Sequence, residues 1–318
     1  MTTLPSRRAV LAASAGLLAA PALARAAAVP VRIGYQKNGA LVIVRQQRRL
    51  EAHGLAPEYV EFTSGPSLLE ALNAGAVDFG ATGDTPPIFA QAAGSELVYV
   101  GAQPVSGVNQ AVLVPADGKV RALTDLRGRR VAFTKGSSAH NMVVKVLARA
   151  GLKPADVQPV YLQPPDAGAA FRSGALDAWG IWDPFFAIAE AEPGTRVLTT
   201  AEGVAPSNSF FLASRSFAER QPDTVLQLLR TINEAAAWAR ENPEALAQAL
   251  SAVTGVPIGP QRVSAARGVY AVQPLDERII AQQQEIADTF TALRVIPARV
   301  DIRAAVWRQP WQVAETAR

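Results

Sequence analysis

The sequence contains no cysteine and only two histidines among its 318 residues. Without cysteine there is no disulfide framework, no thiolate metal site, no cysteine nucleophile and no lipid-modified N-terminal cysteine. Two histidines, His53 and His140, exclude histidine-rich metal chemistry. We therefore expect neither a metal ion nor another cofactor.

The excess of basic over acidic residues is also small. The formal charge is +4, from 31 basic and 27 acidic residues, and three arginines lie in the first 28 positions, which contain no acidic residue, so the remainder carries +1. A nearly neutral chain lacks the electrostatic footprint of nucleic-acid binding. The composition is 49% apolar, which supplies a large core, and the length favours two lobes.

No apolar run is long enough for a membrane-spanning helix. The apolar run at residues 9–24 follows the basic "SRR" and precedes small residues at A-x-A spacing, which is typical of an export signal over residues 1–28. Arg7 and Arg8 before an alanine-rich stretch favour the twin-arginine route, which exports folded proteins; an ordinary secretion signal stays open. We expect a soluble, extracytoplasmic protein.

Short apolar runs alternate with amphipathic stretches over residues 31–200, which predicts an open α/β architecture with covering helices. After residue 214 the alternation ends and long amphipathic helices follow. A helical tail after two α/β units suggests that both chain ends build one lobe.

The domain prediction follows from this pattern. Lobe I takes residues 29–114 and 209–318, and lobe II takes residues 115–208. The chain would cross between the lobes at two hinge segments, near residues 114–116 and 208–212.

Three junctions join a strand to a helix: "TGDTPPIFA", "TKGSSAH" and "IWDPFFA". Asp84 or Thr85 is the expected N-cap of the first, Ser137 or Ser138 of the second, and Asp183 of the third. A helix start offers unpaired backbone N–H groups that suit an anion, and ligands of open α/β sheets bind at the carboxyl ends of strands. Two such starts on different lobes can clamp an anion between them; the alternative is that all three are ordinary N-caps.

Enzyme signatures are missing around these junctions. No G-x-S-x-G elbow surrounds a serine, and Ser138 and His140 are two positions apart, where helical side chains diverge. Phosphate-loop and dinucleotide fingerprints are absent as well. We predict a protein that is not an enzyme, in which His140 lines the lobe interface or supports the helix start.

Three further residues are candidates for the cleft. Gln36 ends the first strand as a neutral donor, and Trp182 at the end of another strand is either an apolar wall for an organic ligand or part of the core. Lys135 either adds charge to the site or faces solvent.

Five segments carry a family resemblance: "RIGYQKNGAL", "SGPSLLEALNAGAVDFGATGDTPPIFAQAAG", "VAFTKGSSAHN", "DAWGIWDPFFA" and "VDIRAAVW". In this order the chain resembles the periplasmic substrate-binding proteins of ABC importers for aliphatic sulfonates, which are related to those for taurine and nitrate. The resemblance implies a two-lobed, hinged, type II periplasmic-binding-protein fold, of the α/β class with a helical C-terminal extension. Such a protein closes on its ligand and delivers it to a membrane permease.

The resemblance also implies a ligand site. The oxyanion positions of the family match Gly83, Asp84, Thr85, Gly136, Ser137 and Ser138, and further cleft positions match Gln36, Trp182 and Asp183. With His140 these form the predicted ligand-binding set. The match at Asn208 is loose, and the basic "RQQRR" in the first helix departs from the family.

The predicted ligand is a small organosulfonate, which is always anionic and offers three acceptor oxygens. Taurine, nitrate or another small anion stays open, as does a pyrimidine-precursor enzyme or binder on the same fold. Asp84 or Asp183 would repel an anion if it pointed inward, so we expect capping to turn each toward its own helix; alternatively one pairs with the amine of a taurine-like ligand. The expected partner is an ABC permease of the inner membrane, and the expected state is a periplasmic monomer.

Overall fold

The computed structural model describes residues 28–204 and 207–311. The predicted export signal lies outside this part of the chain, apart from its last position. Within the described residues, no helix has both the length and the apolar character needed to cross a membrane.

Ten strands and twelve α-helices make up the described chain. The strands are β1 (Val29–Tyr35), β2 (Leu55–Glu61), β3 (Phe79–Thr82), β4 (Leu97–Val105), β5 (Gln110–Pro115), β6 (Arg130–Phe133), β7 (Gln158–Tyr161), β8 (Ala178–Trp182), β9 (Thr195–Thr200) and β10 (Ser207–Ser214). The helices are α1 (Ala40–Gln46), α2 (Arg49–Ala52), α3 (Gly65–Asn73), α4 (Thr85–Ala92), α5 (Ser138–Arg149), α6 (Pro164–Arg172), α7 (Phe185–Glu190), α8 (Arg215–Arg220), α9 (Pro222–Glu241), α10 (Pro243–Thr254), α11 (Ile258–Arg267) and α12 (Glu277–Ala292).

The strands form two sheets of the same topology, ordered β2-β1-β3-β10-β4 and β7-β6-β8-β5-β9. In each sheet the first three strands are parallel and the fourth is antiparallel to both of its neighbours. In each sheet the antiparallel strand is the first one formed after the chain crosses from the other sheet: β5 directly follows β4 of the first sheet, and β10 directly follows β9 of the second. The predicted α/β class with two units is confirmed. We call the first sheet with its helices the first unit, and the second sheet with its helices the second unit.

The crossovers lie earlier in the chain than the predicted hinge segments. The chain leaves the first sheet after Val105 and enters the second at Gln110; it leaves the second after Thr200 and re-enters the first at Ser207. The predicted positions at residues 114–116 and 208–212 therefore fall inside or at the end of β5 and β10, which are already paired in their new sheets. That the two units move as lobes stays a prediction.

The predicted helical extension is present as α8 to α12, which follow β10. The spacing of Val225, Leu228 and Ile232 in the sequence predicts one apolar helix face, and on α9 that face is completely buried in the core of the first unit. On α12 the polar interruption at Gln283 is also buried, and its Nε2 donates to the main-chain oxygen of Asp84 at 2.6 Å. A polar residue on an apolar helix face thus has a partner next to the end of β3.

The sequence after the first strand predicts one helix that runs unbroken to Glu51, whereas in the structure the first helix is shorter. It ends at Gln46, and α2 begins at Arg49 after Arg48, whose φ of 50° is left-handed. The break falls in the basic "RQQRR" segment. His53 follows α2 as its C-cap and lies 3.5 Å from the Glu234 carboxylate, in keeping with a structural role.

Candidate functional site

A cavity of about 110 Å³ lies between the two sheets, at the carboxyl ends of their parallel strands and the amino ends of β5 and β10. Six of the ten predicted site residues line it: Gln36, Gly83, Ser137, Ser138, Trp182 and Asp183. The other four, Asp84, Thr85, Gly136 and His140, lie behind this lining. The six residues that line the cavity come from both units, and the other four are buried.

The start of α5 is held by Ser137. Its Oγ accepts from the His140 backbone N–H at 3.4 Å and donates to the Thr134 oxygen at 2.7 Å, which makes Ser137 the N-cap and leaves Ser138 as the first helical residue. Gly136 has a φ of 73°, and a Cβ there would also lie 3.1 Å from the Phe89 ring. Glycine is therefore required both by the backbone and by the approach of α4.

The start of α4 touches the start of α5. A Cβ on Gly83 would lie 2.8 Å from the Ser138 Cβ and 3.0 Å from its Oγ, so only glycine permits this distance. Because Gly83 belongs to the first unit and Ser138 to the second, two helix N-termini from different units meet at the cavity. Their backbone N–H groups and the Ser138 hydroxyl form a donor surface for an anion.

Asp84 does not cap α4, contrary to one of the two predicted capping choices. It is 2% exposed, and its side chain makes no cap hydrogen bond. Its Oδ1 accepts from the Thr85 hydroxyl at 2.7 Å, and its Oδ2 accepts from Asn141 Nδ2 at 2.8 Å and from the Ser207 hydroxyl at 2.7 Å. Both carboxylate oxygens of Asp84 therefore accept hydrogen bonds inside the protein, outside the cavity lining.

The N-cap of α7 is Pro184 and not Asp183 as predicted, although Asp183 still binds the start of the helix. It is 3% exposed, and its Oδ1 accepts from the Ala187 backbone N–H at 3.0 Å and lies 3.5 Å from Arg267 Nη1. Its Oδ2 is buried and has no hydrogen-bond partner among the described residues. Burial raises the pKa of Asp183 to about 7, and the charge of Arg267 limits that rise. A neutral carboxyl here lessens the repulsion of an anion in the cavity.

His140 supports the start of α5, one of the two roles predicted for it. Its Nδ1 accepts from the Gly136 backbone N–H at 3.2 Å, and its ring stacks on Phe133 at 4.8 Å and meets Phe290 edge-on at 4.9 Å. Burial, with a smaller contribution from the charge of Lys135, lowers the pKa of His140 to about 4. The ring is therefore neutral near pH 7. Phe290 belongs to the first unit, so the ring also lies between the units.

The remaining candidates divide between the cavity and the surface. Gln36 lines the cavity, and its Nε2 donates to the Ala81 oxygen at 3.2 Å. Trp182 is buried and also lines the cavity, so its two predicted roles coincide. Lys135 is exposed, 5.7 Å from the centre of the Tyr161 ring, which puts its ammonium group on the surface.

Several lining residues were missed from the sequence. Asn38 lines the cavity and donates from Nδ2 to the Asp183 main-chain oxygen at 2.9 Å, and Ser207 also lines it. Both lie in stretches singled out for other residues, "YQKNG" and "APSNSFF", so a polar residue next to a strand end was the available signal. The loosely matched Asn208 lines the cavity too. The helical extension adds Leu250, Ser264 and Tyr270, for which no local pattern gives a signal.

Fold and site together define a class of protein: a ligand-binding protein of two α/β units with a cavity between opposed helix starts. Residues 50–246 match the family model described as "NMT1/THI5 like". A curated relative from Escherichia coli (strain K12) is named as an aliphatic sulfonates-binding protein. It is 41% identical to this chain over 96% of this chain and 98% of its own length.

Solved structures agree with this match. The alkanesulfonate-binding protein SsuA from Xanthomonas axonopodis pv. citri, bound to MOPS, is 42% identical with a TM-score of 0.86, covering 88% of this chain and 99% of that one. The periplasmic aliphatic sulphonate binding protein SsuA from Escherichia coli is 40% identical with a TM-score of 0.81, covering 91% and 94%. This chain belongs to the aliphatic sulfonate-binding proteins of the NMT1/THI5-like family. The family resemblance and the periplasmic-binding-protein fold predicted from the sequence are confirmed.

Proposed function

We propose that this protein captures a small aliphatic sulfonate between two lobes and delivers it to an ABC importer. The observation that carries the proposal is the contact of two helix starts from different units, at Gly83 and Ser138, beside the cavity. Closely similar proteins are named for binding aliphatic sulfonates or alkanesulfonates, and one of them is solved with MOPS, itself a sulfonate.

The chemistry of the cavity suits this ligand. Among the described residues its lining includes no lysine or arginine, so neutral groups must hold a negative charge there. Backbone N–H groups at the two helix starts, the hydroxyl of Ser138 and the amide of Gln36 are such groups, whereas the Ser137 hydroxyl already donates to the Thr134 oxygen. They can bond the three oxygens of a sulfonate with the helix dipoles in favour. Trp182 and Leu250 supply apolar surface for a short alkyl chain.

Partners and location follow from the same proposal. The protein works in the periplasm as a monomer, hands its ligand to a permease of the inner membrane and binds no nucleic acid. Arg7 and Arg8 support export by the twin-arginine route. The residues that touch the ligand are the cavity-lining members of the predicted set, while Asp84, Thr85, Gly136 and His140 hold the helix starts in place.

A second candidate ligand is a sulfonate that also carries an amine, such as taurine. Asp183 lines the cavity, and its buried Oδ2 has no partner among the described residues. An ammonium group on the ligand would supply the missing donor and would favour the charged carboxylate.

Thermal unfolding of the mature chain against a ligand panel tests both candidates. The panel contains alkanesulfonates, taurine, sulfate, nitrate, carboxylates and a thiamin precursor, with ethanesulfonate and taurine as a matched pair differing by one amine. A ligand at about 100 times its dissociation constant adds about 2.7 kcal/mol to the free energy of unfolding.

Stabilisation by alkanesulfonates alone supports the first candidate, and a larger shift with taurine than with ethanesulfonate supports the second. A shift confined to nitrate or to another anion without sulfur would contradict both. A shift confined to the thiamin precursor would move the protein to the pyrimidine branch of the fold.

A further inference from the structure

The hydrogen bond from Asn141 to Asp84 joins the two units next to the cavity. Asn141 lies three residues after Ser138 on α5, and Asp84 directly follows Gly83, so the pair sits immediately behind the contact of the two helix starts. The Asn141 Nδ2 to Asp84 Oδ2 distance is 2.8 Å, and the residues are 3% and 2% exposed. Neither residue lines the cavity.

The hydrogen bond to Asp84 satisfies only one end of the Asn141 side-chain amide. Its side-chain oxygen is buried without a hydrogen-bond partner among the described residues, so the amide nitrogen bonds Asp84 while the amide oxygen bonds nothing there. A buried amide with one end unsatisfied is unfavourable by itself. The compensating contact is the hydrogen bond to a carboxylate, which is stronger than one to a neutral acceptor.

The three donors to Asp84 differ in where they come from. Thr85 is its chain neighbour, and Ser207 begins β10, which is a strand of the first sheet. Asn141 alone of these three belongs to the second unit. Separation of the units therefore breaks the Asn141 bond and leaves the other two in place.

The opposite flank of the cavity has a related contact with the units exchanged. Asn38, which follows β1 of the first sheet, donates from Nδ2 to the main-chain oxygen of Asp183, which follows β8 of the second sheet. That acceptor is a neutral carbonyl, and Asn38 is only partly buried. The charged and more deeply buried bond is the one at Asp84.

We propose that the hydrogen bond between Asn141 and Asp84 is a clasp that exists only in the closed protein and sets how long the ligand stays bound. Asn141 is a positioning residue: it touches no ligand and acts by holding α5 against α4. An interaction made in one of two conformations shifts the population toward that conformation by its own free energy. The clasp therefore slows ligand release and leaves capture by the open protein unchanged.

The test replaces the amide by an apolar group of similar size, Asn141→Leu, and measures binding kinetics with ethanesulfonate, so it rests on the proposed function. Loss of a hydrogen bond to a charged group predicts dissociation about tenfold faster or more, with the association rate within about twofold of wild type. Asn73→Leu, at an exposed asparagine on α3, is the matched control and keeps both rates. A double-mutant cycle with Asp84→Ala shows whether the two side chains act together.

Unchanged dissociation in a folded Asn141→Leu protein, or a loss of affinity carried by slower association, would overturn the clasp. If that variant does not fold, the wild-type side-chain amide of Asn141 decides by NMR: its protons must exchange with water more slowly when ethanesulfonate is bound, and equal exchange overturns the proposal. Wild-type protein that does not bind ethanesulfonate would count against the proposed function. The clasp is then judged by the same dissociation measurement with whichever ligand of the panel does stabilise the wild-type protein, and Asn141→Leu must again release that ligand faster.

Discussion

Asp84 and Asp183 occupy equivalent places in the two units and have different surroundings. Each follows the central strand of its five-stranded sheet, β3 or β8, and each precedes a helix. Both are almost completely buried. Three neutral donors bond the carboxylate of Asp84, whereas one oxygen of Asp183 is unpartnered among the described residues and its pKa is raised to about 7.

The comparison shows that position in the fold and depth of burial do not fix what a buried acid does. The number of donors around the carboxylate decides whether charge is tolerated, because each donor replaces part of the lost hydration. Asp84 links the units through its donors. Asp183 accepts from the Ala187 N–H at the start of α7, and its second oxygen lies buried beside the cavity.

The largest expected effect comes from the glycine that precedes Asp84. Gly83→Val places a branched side chain where even a Cβ lies 2.8 Å from the Ser138 Cβ, so the two helix starts cannot meet. We expect sulfonate affinity to fall at least about 100-fold, or about 2.7 kcal/mol, by titration calorimetry. Gly259→Val is the matched control, since no atom lies within 4 Å of a Cβ at that position. Wild-type affinity in a folded Gly83→Val protein would contradict the site.

The next largest effect is on the stability of the protein, and it distinguishes Asp84 from Asp183. Asp84→Asn puts an NH₂ group where a carboxylate oxygen accepts, so at least one buried donor loses its partner. We expect the free energy of unfolding to fall by about 2 to 3 kcal/mol in denaturant titrations. Asp183→Asn, measured at pH 8, should not lower it and should raise it if anything, because the substitution removes a charged form that burial disfavours in the folded protein. Equal losses in the two variants would refute the contrast.

The pH dependence of stability sharpens the contrast for Asp183. Its pKa is raised in the folded protein from 3.8 to about 7, so between these values the folded state holds a proton that the unfolded state has released. The contribution of Asp183 to stability is therefore present at low pH and is lost as pH rises through about 7, by up to about 1.4 kcal/mol per pH unit. Asp183→Asn should remove this fall in thermal or chemical unfolding measured across the window. A slope unchanged by the substitution would contradict the assignment.

His140 should make stability rise with pH, opposite to Asp183. This is the smallest of the expected effects because the two contributions oppose each other in the wild-type protein. The pKa of His140 is lowered from 6.5 to about 4, so the unfolded state binds the extra proton and stability is lost as pH falls through that interval. Between about pH 4 and 6.5 the two groups oppose each other, and wild-type stability should vary little on their account. His140→Gln should uncover the fall due to Asp183 as pH rises; a variant whose stability varies as little as that of the wild type between pH 4 and 6.5 would contradict this prediction.

Much of the fold was predictable because local patterns decide it. The alternation of apolar runs with amphipathic stretches over residues 31–200 corresponds to β1 to β9 and the helices between them. The helix starts at Ser137 and near Thr85 were visible from serine, aspartate and proline at strand ends. The apolar face of α9 needed only its helical spacing. These features depend on neighbours in sequence.

The parts that failed depend on residues far apart in the chain. The capping prediction for Asp84 was wrong because Asn141 and Ser207, 57 and 123 positions away, bind its carboxylate instead. The crossovers were displaced because β5 and β10 insert into their new sheets, which an apolar run does not reveal. Tyr270 and Leu250 reach the cavity only through packing of the helical extension.

The position of β10 between β3 and β4 determines the order in which the two sheets can be completed during synthesis. The second sheet is complete within one continuous stretch, from Gln110 to Thr200, whereas the first has a gap between β3 and β4 until β10 arrives at Ser207–Ser214. A chain emerging vectorially from a ribosome or a translocation pore can finish the later unit before the earlier one. Four strands of the first sheet are synthesised first, but that sheet stays incomplete until β10 has been synthesised after the whole second sheet.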